Sequence, residues 1–152
     1  MESRSTGDAP AVPAPDLAES GAYRIWVREH VRFADLDPLG HANNNSIGVY
    51  FESGRLGLHD AVGLPVLMRG TAVVLARLAI DYRAEIHFPN ELRIGVGVLR
   101  VGRTSWTTGA GLFVGGRCCA TSEAVTVLID RDTRRPTPLP ADMRDALSGF
   151  LL

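Results

Sequence analysis

Lysine is absent from this chain, and all sixteen of its basic residues are arginines. Its absence excludes Schiff-base chemistry and any lysine nucleophile. Long hydrophobic runs are also absent, so the sequence predicts no membrane span. The formal net charge of −1 leaves no excess of positive charge, which argues against binding nucleic acid through a basic surface.

Cysteine is scarce, and the two that occur, Cys118 and Cys119, are adjacent. Neighbouring cysteines lack the spacing of metal ligands, and in an alternating strand their side chains point to opposite faces. We therefore expect free thiols in a reducing compartment, the cytoplasm, and no metal site.

The first twenty residues are rich in Ala, Pro, Ser and acidic side chains and contain no apolar core of a signal peptide. This composition predicts a disordered leader over residues 1–20. The remaining residues, 21–152, are enough for a single domain that buries an ordinary core.

Two consecutive segments then show different periods. Apolar residues alternate over Tyr23–Phe33, which predicts a half-buried strand. From Asn45 to Val62 they recur at helical spacing, and Gly63 followed by Pro65 ends the helix. Because this helix is apolar on several sides, we expect a curved sheet to wrap around it.

Alternating segments joined by short turns follow the helix. The first is longer than a usual strand, so a bend is expected near Asp81–Ala84. Gly115-Gly116 is typical of a two-residue hairpin turn, and a short helix is predicted over Ala141–Leu147. The predicted strands cover 71–88, 92–98, 104–114 and 117–130. This order indicates an α+β domain with a long antiparallel sheet of about five strands around one central helix.

The run 35–45 places a carboxylate, Asp37, four residues before an imidazole, His41, just ahead of the long helix. Peptide N–H groups at a helix N-terminus favour developing negative charge, which makes this run a candidate active site. From the residues alone, Asp37 is equally a turn former before proline, and His41 a hydrogen bonder near the cap. Asp35 should face the other way and bond the backbone of the turn. Asn43 and Asn45 are expected to act as caps.

The segment 33–44, followed by Phe51-Glu52-Ser53-Gly54-Arg55, resembles the signature of hotdog-fold thioesterases. It is similar to the 4-hydroxybenzoyl-CoA thioesterase branch and to plant acyl-ACP thioesterases. Segments 88–92, 101–105 and 135–140 also match the family, so the resemblance covers roughly Arg24 to Pro140. It implies a sheet wrapped around one helix, an active site at a dimer interface, and thioester hydrolysis without metal or redox cofactor.

The resemblance also implies residue roles. Asp37 matches the essential carboxylate, which acts as nucleophile or as base for water, and His41 matches a histidine that positions or activates the attacking group. Asn44 lies at the helix start whose backbone N–H polarises the thioester carbonyl. The chain departs from the family pattern at Ile47, where many relatives have Tyr, and at Leu39, where the plant enzymes have a catalytic Asn.

Candidate substrate-binding residues are Gly40, Tyr50, Glu52, Arg100 and Arg103. Tyr50 lies one turn after Ile47, where it could stand in for the missing tyrosine. Glu52 and Arg55 are three residues apart and either form an ion pair or leave Glu52 free for a direct role. Arg100 and Arg103 flank a turn and are either solvated loop side chains or ligands of CoA phosphates.

We therefore expect an acyl thioesterase that acts on acyl-CoA or on an acyl carrier protein, as a homodimer or homotetramer. The alternatives are a hotdog protein that binds acyl groups without hydrolysis, a hotdog dehydratase, or a purely structural dimer module. Acyl length depends on how residues such as Val66, Met68 and Leu75 pack.

Overall fold

The computed structural model describes residues 13–152. The elements are β1 (Ile25–His30), α1 (Asn44–Ala61), α2 (Leu64–Leu67), β2 (Thr71–Tyr82), β3 (Glu91–Val101), β4 (Ser105–Val114), β5 (Arg117–Asp130) and α3 (Ala141–Ser148), with short 3-10 helices at Ser20–Ala22 and Phe33–Asp35. All strands pair antiparallel in the order β1-β3-β4-β5-β2. The long helix α1 packs on one face of this sheet. The predicted α+β class, with about five strands around one helix, is confirmed.

Helix α1 begins one residue earlier than predicted because Asn43 caps it. The Asn43 side chain accepts a hydrogen bond from the Asn45 N–H at 2.8 Å, so Asn45 lies within the helix and is not a cap. Beyond the helix, Gly63 adopts a φ of +69°, a conformation that glycine reaches without strain. Across residues 13–152, no helix is both long and apolar enough to cross a membrane.

Two glycines let α1 lie close to the sheet. A Cβ on Gly54 would be 2.7 Å from Cγ2 of Ile94 on β3, and a Cβ on Gly57 would overlap Val27 on β1. Around this contact the helix side chains Phe51 and Leu58 are fully buried against the sheet. The absence of side chains at Gly54 and Gly57 therefore allows α1, together with its N-terminus, to lie this close to the sheet.

The predicted strand over 71–88 is wrong in its last third. Strand β2 ends at Tyr82, and the N–H groups of Arg83 and Ala84 both donate to the Cys119 carbonyl, at 2.8 and 3.0 Å. The chain then turns away, and the Ile86 carbonyl accepts from the Ala42 N–H at 2.7 Å. The irregularity in β2 falls between Leu75 and Arg77 instead of near Asp81–Ala84.

Strand β1 is likewise shorter than the predicted Tyr23–Phe33, because a 3-10 turn begins at Phe33. The predicted hairpin at Gly115-Gly116 is confirmed, since both glycines have positive φ, as a two-residue turn of type I′ requires. Strand β5 has the predicted bounds, and the short final helix is extended by one residue.

Four glycines form a trough on the face of the sheet away from α1. Gly95 pairs with Gly111 and Gly97 with Gly109 across β3 and β4. The ring of Tyr23 fills the trough at Gly95, Leu17 at Gly109 and Gly111, and Leu152 at Gly97. The two ends of the described chain therefore close this face.

Part of the expected leader, residues 1–12, lies outside the described residues. From Leu17 onward the chain is ordered on β4, and the Leu17 carbonyl accepts from the Tyr23 hydroxyl at 2.7 Å. The packed part of the chain therefore begins before residue 21.

The close approach of α1 makes a prediction about two glycines of the same helix. Gly54→Ala should destabilise the fold by about 1–3 kcal/mol, because Ile94 is buried and cannot move aside. Gly48→Ala, where an added Cβ meets nothing within 4 Å, should stabilise it by about 0.5–1 kcal/mol. Urea denaturation of both variants checks this, and equal effects would contradict the proposed contact.

Candidate active site

The segment between β1 and α1 brings Asp37 and His41 together in a tight turn. The Gly40 N–H donates to the Asp37 carbonyl, and the Asp37 N–H donates to the His41 carbonyl, both at 3.0 Å. Gly40 has a φ of +84°, which explains glycine at this position. The turn leaves the Asp37 side chain 19% exposed and that of His41 24% exposed, so both are shielded but reachable.

The Asp37 carboxylate has one oxygen fixed and one directed at the imidazole. Its Oδ1 accepts from the Leu39 N–H at 2.8 Å, and its Oδ2 lies 3.7 Å from Nδ1 of His41. The predicted proximity of these two side chains therefore holds in the structure. A carboxylate next to an imidazole in a partly shielded turn can act as a base or a nucleophile.

Asp35 is buried beneath this turn and holds it to the helix. Its carboxylate accepts from the backbone N–H, Nε and Nη2 of Arg32, at 2.9, 3.2 and 3.0 Å, and from the Tyr50 hydroxyl at 2.6 Å. Its carbonyl accepts from the Asn43 N–H at 2.8 Å and the Ser46 hydroxyl at 3.2 Å. Asp35 thus bonds the backbone of the turn, as expected, and also three side chains that the sequence did not indicate, those of Arg32, Ser46 and Tyr50.

Burial and hydrogen bonding shift the pKa of the Asp35 carboxyl in opposite directions. Burial raises the pKa of the Asp35 carboxyl, but the bonds from Arg32 and Tyr50 outweigh it and hold the pKa below its usual range. Burial, together with the nearby Asp35 charge, raises the pKa of Tyr50 well above its ordinary value. Asp35 is therefore an ionised structural group, and Tyr50 is a neutral donor to it.

The N-terminus of α1 opens into a cleft of about 250 Å³. The N–H of Asn44, the first helical residue, has no acceptor within the helix, and the cap on Asn43 takes the N–H of Asn45. The cleft is lined on one side by His41, Ala42, Asn44 and Ile47 and on the other by Tyr82, Ala84, Glu85 and Ile86. Asp37 does not line this cleft. Its carboxylate lies beside His41, which does line it.

Two residues that the sequence did not indicate complete the surroundings of His41. Nε2 of His41 lies 3.9 Å from Oε1 of Glu85, whose Oε2 lies 3.3 Å from Nε2 of His87. They reach His41 because the chain leaves β2 at Tyr82, which alternation alone could not reveal. Within residues 13–152, no group of His, Cys, Asp and Glu side chains has a geometry that could hold a metal ion.

The candidate substrate-binding residues do not all meet at this cleft. Tyr50 is buried with its hydroxyl on Asp35, so it does not take the place of the family's tyrosine near Ile47. Gly40 is exposed and closes the turn. Arg100 and Arg103 line a separate groove of about 260 Å³ at the opposite end of β3 from Glu91.

Glu52 and Arg55 line a third cavity, farther along α1. In the described part of the chain no ion pair joins them, because Arg55 turns into the protein while Glu52 stays exposed. Of the two alternatives for these residues, the ion pair is therefore not formed, and burial lowers the pKa of Arg55 against the opposing effect of the Glu52 charge.

The chain is similar to known proteins over most of its length. A family model described as the thioesterase-like superfamily matches residues 31–147. A thioesterase from Thermus thermophilus, whose crystal structure contains coenzyme A and zinc, is 32% identical. That match covers 84% of this chain and 94% of the other, with a TM-score of 0.76.

Two further relatives are similar over most of their length. A predicted thioesterase from Bacillus stearothermophilus is 27% identical, with 84% of this chain and 96% of the other covered and a TM-score of 0.78. The uncharacterized protein YsmA of Bacillus subtilis (strain 168) is 28% identical over 127 residues, which is 83% of this chain and 86% of that protein.

The contacts of Asp35 make a prediction about stability. Asp35→Asn should lower the free energy of unfolding by about 2 kcal/mol at neutral pH, because charge-assisted hydrogen bonds to a buried group are lost. Tyr50→Phe, which removes one donor, should cost about 1 kcal/mol. Urea denaturation measures both, and an Asp35→Asn variant as stable as the parent would contradict this assignment.

The same contacts predict a pH dependence. Because the folded-state pKa of Asp35 is lowered, its contribution is fully present above its unfolded pKa of about 3.9 and is lost as pH falls through the lower folded value. The stability difference between the parent chain and Asp35→Asn should therefore shrink in acid. A difference that stays constant down to the lowest pH at which the chain folds would count against it.

Proposed function

This chain belongs to the thioesterase-like superfamily, and from that premise we propose that it hydrolyses an acyl-CoA, or an acyl group on a carrier protein, to a free acid and a thiol. The observation that carries the proposal is the Asp37 carboxylate, held 3.7 Å from His41 in a turn next to the open N-terminus of α1. A base or nucleophile beside helix-terminal N–H groups is what acyl transfer requires.

In this proposal Asp37 begins the reaction in one of two ways. As a general base it takes a proton from water, whose oxygen attacks the thioester carbonyl. As a nucleophile its carboxylate oxygen forms a mixed anhydride with the acyl group, which water then hydrolyses. In both, the carbonyl oxygen becomes negative and accepts from the Asn44 N–H, the C–S bond breaks, and the thiolate takes up a proton. His41 orients the Asp37 carboxylate from its Nδ1 side.

Coenzyme A is the better-supported thiol. The similar thioesterase from Thermus thermophilus was crystallised with coenzyme A. The guanidinium groups of Arg100 and Arg103 suit a phosphate, but they line a groove separate from the cleft at Asn44 and so add no support here. Both cysteines are free, which agrees with a reducing compartment such as the cytoplasm.

A homodimer through β2 belongs to the same proposal. Strand β2 is twelve residues long and pairs only with β5 among the described strands, so its other edge carries unpaired backbone groups. Leu75 on β2 is 48% exposed, and Leu56 on α1 is exposed beside it in the same cavity. Long apolar edge strands are usually covered, and a second copy of β2 would cover this one.

The central test is the release of free thiol. Purified protein should release thiol from at least one member of a panel of short, long and aromatic acyl-CoA and acyl-carrier-protein thioesters. Asp37→Asn should reduce kcat/KM by about 10²- to 10⁴-fold, because the base or nucleophile is lost while the shape is kept. Asp132→Asn, which removes the same charge from an exposed turn, is the matched control and should leave the rate unchanged.

Other outcomes would identify the alternatives. Acyl-CoA binding without turnover, unaffected by Asp37→Asn, would indicate a protein that binds acyl groups without hydrolysing them. Elimination of water from a hydroxyacyl thioester, which forms a carbon–carbon double bond, would indicate a dehydratase. Neither binding nor turnover would leave only a structural module.

The proposed dimer is tested separately by light scattering. Leu75→Asp should convert the dimer to a monomer, because it places a charge on the edge that pairs. Leu151→Asp is the matched control, since Leu151 is also 48% exposed but lies at the opposite edge of the sheet, where it forms a bridge with Val98. A parent chain that is monomeric at micromolar concentration would refute the pairing.

A further inference from the structure

Buried nitrogen atoms without partners gather under the middle of α1. Within residues 13–152, Nη1 of Arg55, Nε2 of His59 and Nε1 of Trp106 are shielded from solvent and form no hydrogen bond. Arg55 as a whole is only 9% exposed, yet no acidic side chain lies within 4 Å of it. A buried guanidinium nitrogen without an acceptor is energetically costly, and the described residues supply no acceptor for Nη1 of Arg55.

These side chains belong to one layer between the helix and the sheet. Across the sheet, Trp106 pairs with Thr126, and Thr126 pairs with Leu75. The ring centroids of His59 and Trp106 are 5.9 Å apart. A cavity of about 200 Å³ lies in this layer and is lined by Glu52, Arg55, Leu56 and His59 of α1 and by Val73, Val74, Leu75 and Thr126 of the sheet.

Arg55 gives the inner part of this layer a positive charge, and the Glu52 carboxylate at the mouth of the cavity acts on it from farther away. Burial, and then the nearby Arg55 charge, lower the pKa of His59, so its imidazole is neutral at neutral pH and can present an N–H at Nε2 in one tautomer. Arg55 remains a cation, since a guanidinium is not deprotonated in proteins. Glu52 lines the mouth of the cavity, but its side chain is exposed and makes no ion pair with Arg55. The inner part of the cavity therefore offers donors and one positive charge.

The cavity and the cleft at the N-terminus of α1 share no lining residue, but both lie between the same two elements. Both are bounded by α1 and β2: the cleft by Asn44 and Tyr82, the cavity by Arg55 and Leu75. Asn44 and Arg55 are three helical turns apart and so share a face of α1, at a separation of roughly 16 Å along its axis. An acyl chain whose carbonyl is at Asn44 would therefore reach Arg55 by extending between α1 and β2.

We propose that Arg55, with Nε2 of His59 beside it, binds a carboxylate at the distal end of the acyl chain, so that the substrate is the thioester of a dicarboxylic acid. This inference rests on the proposed thioesterase function and narrows its substrate class. The carboxylate supplies the negative charge and the acceptors that the described residues do not. The apolar side chains of Leu56, Val73 and Leu75 contact the methylene groups that precede it.

The test compares length-matched acyl-CoA thioesters that end in a methyl, a hydroxyl or a carboxylate group. The parent protein should favour the carboxylate over the methyl by about 10- to 100-fold in kcat/KM, since hydrogen bonds to a charged group are strong. Arg55→Met should lose or reverse this preference and should raise Tm, because it removes a buried charge that has no partner. Arg28→Met, the same change at an exposed position on β1, should keep the preference and leave Tm unchanged.

A binding measurement keeps this inference separate from the hydrolysis proposal. Calorimetry of the three thioesters with Asp37→Asn should show the same order of affinity, because Asp37 is remote from Arg55. If the parent protein hydrolyses the methyl-ended thioester equally well or better, the dicarboxylate inference is overturned while thioester hydrolysis stands. If no thioester is hydrolysed but the carboxylate preference appears in binding, hydrolysis fails and the site assignment stands.

Two results would assign Arg55 another role. A preference for the hydroxyl group equal to that for the carboxylate would mean that the cavity selects hydrogen-bond acceptors and not negative charge. Dissociation of the parent dimer caused by Arg55→Met, with the substrate preference intact, would place Arg55 in the contact between subunits. Either result overturns the proposal.

Discussion

One buried carboxylate, that of Asp35, joins the end of β1 to the beginning of α1. Removing this charge from water is unfavourable, and hydrogen bonds from Arg32 and Tyr50 offset the cost only while the strand end, the 3-10 turn and the helix hold their relative positions. The Asp35 carbonyl fixes the cap residue Asn43 in the same way. Asp37 lies two residues after this anchor, so the geometry of the proposed reacting groups depends on a residue that has no part in the proposed reaction.

Much of this arrangement could be predicted from the sequence, because it is encoded locally. The period of α1, the alternation of β5, the Gly115-Gly116 turn and the closeness of Asp37 to His41 all depend on residues near one another in the chain. The rest depends on partners distant in sequence. Alternation continues past Tyr82 although the strand does not, because the Cys119 carbonyl and Ala42 redirect the backbone. Glu85 and His87 lie near His41 only because the backbone leaves the sheet after Tyr82. The hydrogen bond from Tyr50 to Asp35 depends on packing between distant residues, which the spacing of residues in the sequence does not show.

The groove between α1 and β2 links the proposed chemistry to the proposed association of subunits. Its floor carries the cleft at Asn44 and the donors around Arg55, while its rim exposes Leu56 and Leu75. In one chain the groove is open along the free edge of β2. A second β2 at that edge would exclude water from the same groove, and the donors at its floor interact more strongly with charge when water is excluded. In the proposed dimer, the pairing of β2 would therefore both join the subunits and strengthen the stabilisation of charge in the groove.

The glycine trough beneath the sheet constrains how this sequence can diverge. Each of Gly95, Gly97, Gly109 and Gly111 is opposed by a residue far away in the chain, such as Leu17 or Leu152. A larger residue at Gly95, Gly97 or Gly109 requires the side chain opposite it to become smaller, whereas at Gly111 the backbone carbonyl of Leu17 leaves no room for a side chain. These glycines should therefore drift slowly among descendants although they carry no reactive group. Retention of the four glycines in descendants would therefore reflect the packing of Leu17, Tyr23 and Leu152 on this face and not a catalytic role.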